Sequence, residues 1–307
     1  MITLGIDTSN YTTSAAVFDS DKGSLVQNRR LLRVKPGELG LRQADAVFQH
    51  TVALPEIISG VCENGAVKPD VIGVSVSPDE EPGSYMPCFM TGKGVADCMG
   101  SVFGIPVKYF SHQAGHIAAA LYSADRLDLL QTEFIAFHVS GGTTQGLYVK
   151  PDAQKIITVK KVVESLDLKA GQAIDRVGVM LGLDFPAGQK LDELSTNSAE
   201  EYKPHPFMRD GSCSLSGLQN QCETMLKKGE PSENIAKYCI TYICEALSLM
   251  TGELLKKYPG LPVVYSGGVT SNSMIRERFS SRFGAVFAAP GFSSDNACGT
   301  AVLAAVK

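Results

Sequence analysis

The chain has 307 residues, enough for two domains of ordinary size, each with its own core. Hydrophobic residues make up 44% and charged residues 20%, which excludes an intrinsically disordered chain, and no run of about 18 apolar residues is present to span a membrane. The net charge of −4 gives the whole molecule no electrostatic grip on nucleic acid, so an RNA partner would need a local basic patch or a basic partner subunit.

The chain begins on a strand pattern with no basic leader, which argues against secretion. Ile2 to Phe18 reads as an apolar strand, a hydroxyl-rich turn (Ser9, Thr12, Thr13) and a second strand. Leu25 to Val34 continues as a strand, ended by the turn Lys35-Pro36-Gly37. Apolar residues at helical spacing (Ala44, Val47, Phe48, Leu54, Ile57) predict a helix over 41–60. Val71 to Val76 is a short buried strand, running into the loop 77–84 with Pro82 and Gly83. A small-residue helix over 88–103 and a strand over 107–110 follow. This alternation implies a mixed or parallel sheet covered by helices.

A second hairpin, Phe134 to Val149, turns at Ser140-Gly141-Gly142-Thr143. Its small residues would let backbone N–H groups approach an anion. Ser9, Thr12 and Thr13 fall on Ser140, Thr143 and Thr144 at one common offset, so the chain reads as a duplication with a site between its halves and a soft boundary near residues 108–125. A strand over 155–163 comes next, then a helix over 170–183 and the loop Phe185 to Gly188; residues 194–231 read as polar and irregular. A long helix over 232–257, a strand over 262–265, a glycine turn at Ser266-Gly267-Gly268 and a helix from Ser273 follow. Ser293 to Asn296 is an N-cap pattern before a last helix over 297–306.

Several groups could carry chemistry. His112 and His116, at i and i+4 on a helix, would stand about 5–6 Å apart at Cβ, near enough to share a metal ion or to be an ordinary surface or capping pair. Gln113 stands where a zinc protease would need its general base. Asp295 offers a third, carboxylate ligand, or simply favours the dipole of the helix behind it. The turn at Gly267 and Gly268, with Asn272, can present amides to a ligand or be steric in origin. Asp175 could accept from ribose hydroxyls or be a surface charge beside Arg176. The basic residues Arg29, Arg30, Arg33 and Lys35, then Lys155, Lys160 and Lys161, could form an RNA patch or solvated faces. The eight cysteines make no C-x-x-C pair and read as reduced, cytosolic thiols.

Taken together, Ser140-Gly141-Gly142, His112-x-x-Gly115-His116, Ala170-Gly171-x-Ala173-x-Asp175, Pro186-x-Gly188, Ser214-x-Ser216-Gly217-Leu218, Gly267-Gly268-Val269-x-x-Asn272 and Ser294-Asp295-Asn296-Ala297 resemble the TsaD family of tRNA threonylcarbamoyladenosine synthases, in order and over nearly the whole chain. The resemblance implies a duplicated α/β actin/Hsp70/sugar-kinase (ASKHA) fold of two domains with a nucleotide cleft between them: residues 1–110, with the helix of 295–307 packing back on them, and residues 111–294 carrying the metal helix. It implies that His112, His116 and Asp295 hold one iron or zinc ion. It also implies that His138, Val139, Ser140, Gly141, Gly142, Asp175, Gly188, Gly267, Gly268 and Asn272 hold ATP, AMP or an adenylate. The implied reaction moves threonylcarbamoyl from its adenylate to an adenosine of tRNA in the cytoplasm. Implied with it are TsaB- and TsaE-like helper subunits and a homodimer or heterodimer. Asp7, Thr12 and Thr143 are the candidates for catalysis.

The departures from that family fall on the acceptor side. Asn10-Tyr11-Thr12-Thr13 replaces the usual Cys-Asp-Glu-Thr, Thr143 replaces a histidine, Ala114 a glutamate, and Glu81-Pro82-Gly83 a Gly-Pro-Gly loop. Gly40-Leu41-Arg42-Gln43-Ala44-Asp45 stands in place of a Gly-Gly-Val-Val-Pro-Glu run. These changes imply a divergent paralogue. Two other activities follow from such divergence: an adenylate-binding regulatory or assembly subunit of the same fold, or a carbamoyltransferase with another acceptor.

Overall fold

The computed structural model describes residues 1–9, 11–34 and 41–306; Asn10, the Lys35-Pro36-Gly37 turn and Gly40 lie outside the described residues. Strand β1 (Ile2–Ser9) pairs antiparallel with β2 (Thr12–Asp19), Ser9 opposite Thr12, and β2 pairs antiparallel with β3 (Ser24–Leu31). Helix α1 (Gln43–Val61) leads to β4 (Val71–Ser77), parallel to β1, and α2 (Phe89–Phe103) leads to β5 (Val107–Ser111), parallel to β4. The sheet order is β3-β2-β1-β4-β5, and α3 (His112–Ser123) follows β5 directly.

The same plan then repeats. β6 (Phe134–Val139) and β7 (Thr144–Asp152) form the glycine hairpin, and β8 (Ile156–Glu164) lies beside β7. After α4 (Ala170–Met180) and α5 (Gly188–Ser195) come the short strands β9 (Phe207–Arg209) and β10 (Ser212–Ser214), then α6 (Ser216–Lys227) and α7 (Ser232–Lys257). β11 (Val263–Ser266) runs parallel to β6, α8 (Ser273–Phe283) leads to β12 (Val286–Phe287), and α9 (Cys298–Ala305) closes the chain. The order β12-β11-β6-β7-β8 reproduces the first sheet strand for strand. The duplication legible in the two hairpins is therefore a duplication of whole sheets.

The contacts divide the chain into two compact units: Met1–Thr132 with Lys150–Val159 and Gly291–Lys307, and Glu133–Val149 with Lys160–Pro290. This differs from the boundary expected after residue 110. The helix bearing the histidine pair belongs to the first unit, because α3 packs on α9 through the facing glycines Gly115 and Gly299.

In the first unit, strand alternation sorts β1 into two faces. Leu4 and Ile6 bury against Leu54, Ile57, Ile72, Val74 and Ala96, the core under α1 and α2. Each such aliphatic side chain contributes about 1.5–3 kcal/mol. Thr3, Gly5 and Asp7 point the other way, where Thr3 Oγ1 donates to the Ala301 carbonyl (2.7 Å) in α9. Asp7 therefore reaches α3 because of its parity in the strand. In the second unit the core joins Ile135, Phe137 and Val139 of β6 to Ile240, Ile243 and Leu247 of α7.

Residues 194–231, expected to be irregular, contain β9, β10 and α6. α6 buries only Leu218 and Cys222, too thin a stripe for periodicity to reveal.

Candidate functional site

β5 ends at Ser111, whose extended backbone and side chain cap α3: Oγ accepts from the Ala114 amide at 3.1 Å. A serine cap of this kind contributes about 1 kcal/mol and fixes where the first turn starts. That start puts His112 and His116 on one face, ring centroids 4.3 Å apart. Asp295 comes from the loop before α9. Asn296 shapes that loop, donating from Nδ2 to the Phe292 and Ser294 carbonyls and accepting the Cys298 amide at Oδ1. Arg29 of β3 donates to Ser294 Oγ from outside.

Asp295 Oδ1 lies 3.3 Å from His116 Nε2 and 3.5 Å from His112 Nε2. The three candidate ligand atoms lie within 4.8 Å of one another. Behind them His112 Nδ1 lies 2.7 Å from Asp7 Oδ2. Burial works against charge on His112, but the Asp7 carboxylate and the hydrogen bonds to Asp295 and Asp7 prevail and push it up to about 10. Burial also opposes the charge of Asp295, yet its hydrogen bonds to both histidines hold it well below the carboxylate range. For Asp7 burial again opposes the charge, and the charge of His112 and its hydrogen bond lower the carboxyl below its ordinary value. Two imidazole nitrogens and one carboxylate oxygen are a donor set suited to zinc or non-haem iron, with positions left open.

Thr12 and Thr13 of the first hairpin are buried, and Thr13 Oγ1 lies 2.8 Å from Nδ1 of the fully buried His50. Burial, outweighing the pull of the Asp7 charge, lowers the His50 pKa to about 4. Unfolding frees this imidazole to take a proton below its ordinary value of about 6.5. The contribution of His50 is therefore intact above pH about 6.5 and falls as pH drops toward 4, by up to about 1.4 kcal/mol per pH unit for one proton. Urea titrations at pH 7, 6 and 5 are expected to show this slope, and His50→Gln to flatten it.

The second unit holds a cavity of ≈ 650 Å³, within the size range of small-molecule sites. Of the residues expected to hold a nucleotide, Gly141, Asp175, Gly188, Gly268 and Asn272 line it; His138, Val139, Ser140, Gly142 and Gly267 stand outside the lining. Ser140 and Thr143 close the hairpin turn, Thr143 N donating to Ser140 Oγ at 3.1 Å and Ser140 N to the Thr143 carbonyl at 2.7 Å. His138 Nδ1 lies 3.1 Å from Ser266 Oγ. Gly171 lets α4 press on the turn, since a Cβ there would lie 2.6 Å from the Gly141 nitrogen. Asp175 Oδ1 accepts from Ala187 N at 2.8 Å.

Asn272 divides its side chain between two tasks. Oδ1 caps α8 through the Ile275 amide (3.0 Å), while Nδ2 is buried with no hydrogen-bond partner among the described residues. An orphaned donor on a cavity wall fits a ligand acceptor.

Sequence reasoning missed Asp192, which lines the cavity one helical turn after Gly188 and accepts from Ser273 N at 3.1 Å. Its signal was the i, i+4 spacing from Gly188, visible only once α5 is recognised as a helix. Of the basic residues, Arg30 pairs with Glu56, Lys155 with Glu80 and Lys161 with Glu164; Lys35 lies outside the described residues. Among the described residues no helix is long and apolar enough to cross a membrane.

Two sheets of one order, each an antiparallel meander followed by parallel crossovers, define a duplicated α/β protein of the actin/Hsp70/sugar-kinase class. Solved structures share this fold. Full-length HypF in its phosphate- and nucleotide-bound form matches 99% of this chain and 55% of its own, at 14% identity and a TM-score of 0.63. The (R)-2-hydroxyglutaryl-CoA dehydratase component A of Acidaminococcus fermentans matches 99% and 97%, at 17% identity and 0.54. A ROK family glucokinase from Streptomyces griseus, in complex with glucose and AMPPNP, matches 99% of each chain at 11% identity and 0.55.

Sequence narrows the class: residues 36–302 match the family TsaD, tRNA N6-adenosine threonylcarbamoyltransferase, and the chain belongs to that family. A relative of that description from Streptococcus pneumoniae (strain CGSP14) is 28% identical over 292 residues, covering 90% of this chain and 82% of the relative. The resemblance read from the motifs is borne out at the level of family and fold.

Proposed function

We propose that the chain transfers a threonylcarbamoyl group from threonylcarbamoyl-AMP to an adenosine of tRNA in the cytoplasm, with TsaB- and TsaE-like helper subunits and as part of a homodimer or heterodimer. The observation that carries the proposal is the convergence of His112, His116 and Asp295 in a chain of this family. These residues would hold one iron or zinc ion. A bound ion of this kind supplies Lewis-acid polarisation of a carbonyl or phosphoryl oxygen.

The protein's own groups then bind and orient. The ≈ 650 Å³ cavity takes the nucleotide: Asp175 and Asp192 supply acceptors for ribose hydroxyls, and Asn272 Nδ2 supplies a donor. Gly141 and Gly268, beside which a Cβ would meet nothing within 4 Å, leave backbone open toward an anion. Orientation of this kind is the main contribution a positioning site makes to group transfer.

The decisive experiment incubates purified protein with threonylcarbamoyl-AMP, unmodified tRNA and helper subunits, measuring modified adenosine and released AMP. Absence of transfer with every helper present would overturn the proposal. Asn272→Asp separates the two tasks of that side chain, because aspartate caps a helix as well as asparagine but offers no donor. Nucleotide affinity is expected to fall roughly tenfold or more, the effect of about 1–3 kcal/mol for an unpaired buried group. Calorimetric titration with ATP and AMP checks the affinity.

A second reading, a nucleotide-binding regulatory or assembly subunit, or a carbamoyltransferase with another acceptor, is favoured by the first hairpin. Thr12 and Thr13 are buried there, and the Thr13 hydroxyl is engaged by His50. Under it ATP protects the protein thermally and tRNA stays unmodified.

A further inference from the structure

We infer that Asp7 is a positioning residue for the metal centre: its carboxylate holds the proton of His112 on Nδ1 and thereby aims Nε2 at the ion. The inference rests on the proposed metal role of His112, His116 and Asp295. It also removes Asp7 from the candidates for direct contact with substrate.

Three observations support it. Asp7 is 1% exposed, and both its oxygens are engaged inside the protein: Oδ1 accepts the Ser9 amide at 2.9 Å and Oδ2 lies 2.7 Å from His112 Nδ1. The opposite ring nitrogen, Nε2, is the one facing Asp295 Oδ1, at 3.5 Å, and that oxygen in turn faces His116 Nε2. Finally, β1 is paired on both sides, with β2 and β4, so the carboxylate stands on one of the most constrained strands of its sheet.

The chemistry follows from the imidazole. A neutral ring carries one N–H and one lone pair, and an ionised carboxylate can only accept. With a carboxylate at Nδ1, the proton is held there and the lone pair is presented at Nε2. The partner also raises the basicity of the ligand and fixes the plane of the ring.

The test uses the full-length protein stripped of metal, with zinc ion as the probe and a chromophoric chelator as competitor. Wild type is expected to bind one zinc ion. Asp7→Asn, which keeps the shape and one acceptor, is expected to bind it about 10- to 100-fold more weakly, and Asp7→Ala more weakly still. Long-range ¹H–¹⁵N spectra of zinc-loaded wild type should show His112 ligated through Nε2 with a slowly exchanging Nδ1–H, lost in Asp7→Ala. Folding of each variant is followed by circular dichroism.

Zinc affinity in folded Asp7→Asn and Asp7→Ala equal to wild type would overturn the inference alone. So would ligation through Nδ1 in wild type, a result that needs no variant to fold. Failure of wild type to take up zinc or ferrous iron would overturn the metal-centre reading as well.

Discussion

A His116→Ala chain is expected to purify without stoichiometric iron or zinc and to bind added zinc more weakly than wild type by more than the roughly 100-fold upper range that loss of an outer partner costs. The three ligand atoms converge within 4.8 Å, and Asp295 Oδ1 faces both histidines at once. Removing His116 leaves one imidazole and one carboxylate, fewer than the three protein ligands typical of a catalytic zinc site. The loss has a second readout that does not involve catalysis. A ligand binding only the folded state adds stability as RT ln(1 + [L]/Kd), about 2.7 kcal/mol at a hundredfold excess over Kd. Zinc should therefore raise the melting temperature of wild type and leave that of His116→Ala unmoved; metal analysis beside the melts checks both. Retention of one metal per chain by the variant would place the ion elsewhere.

What could be seen in the sequence follows from the range of the interactions involved. Both hairpins were legible because the alternation and the hydroxyl-glycine turns are local, and the register confirms the echo: Ser9 faces Thr12 as Ser140 bonds Thr143. The histidine pair was legible because four residues make one helical turn. α5 and α6 were not, since α5 buries only Leu191 and Ser195 and α6 only Leu218 and Cys222, so their amphipathic stripes fall below what periodicity detects. Asp192 was lost with α5. The pairing of Asp7 with His112 spans 105 positions and depends on the parity of β1 against the first turn of α3. No local pattern encodes such a contact. The same holds for the grouping of α3 with the first unit, which rests on its packing against α9, a contact between segments far apart in the chain.

That contact yields the second large effect, an expected destabilisation in Gly299→Ala that also loosens the metal centre. In an exposed helix the change would be favourable, since alanine exceeds glycine in helix propensity by about 1 kcal/mol. Gly94, inside α2 with open space where its Cβ would stand, should show that gain when replaced by alanine. At Gly299 the new Cβ would instead run into the Gly115 carbonyl and lie 2.6 Å from Ala119 N, both backbone of α3. Backbone cannot swing aside as a side chain end does, so the helices must separate. Overpacking of this kind costs about 1–3 kcal/mol and occasionally more, which outweighs the propensity gain. At about 2–4 °C per kcal/mol for chains of 150–250 residues, melting should fall by several degrees in Gly299→Ala and rise slightly in Gly94→Ala. The same displacement acts on the ligands, because α3 carries His112 and His116 while α9 begins three residues after Asp295. Zinc affinity should therefore fall in Gly299→Ala, although no ligand has been touched, and stay at the wild-type value in Gly94→Ala. Equal melting of Gly299→Ala and wild type would show that α3 and α9 are not in backbone contact there, and with that the placement of the histidines opposite Asp295 would lose its support.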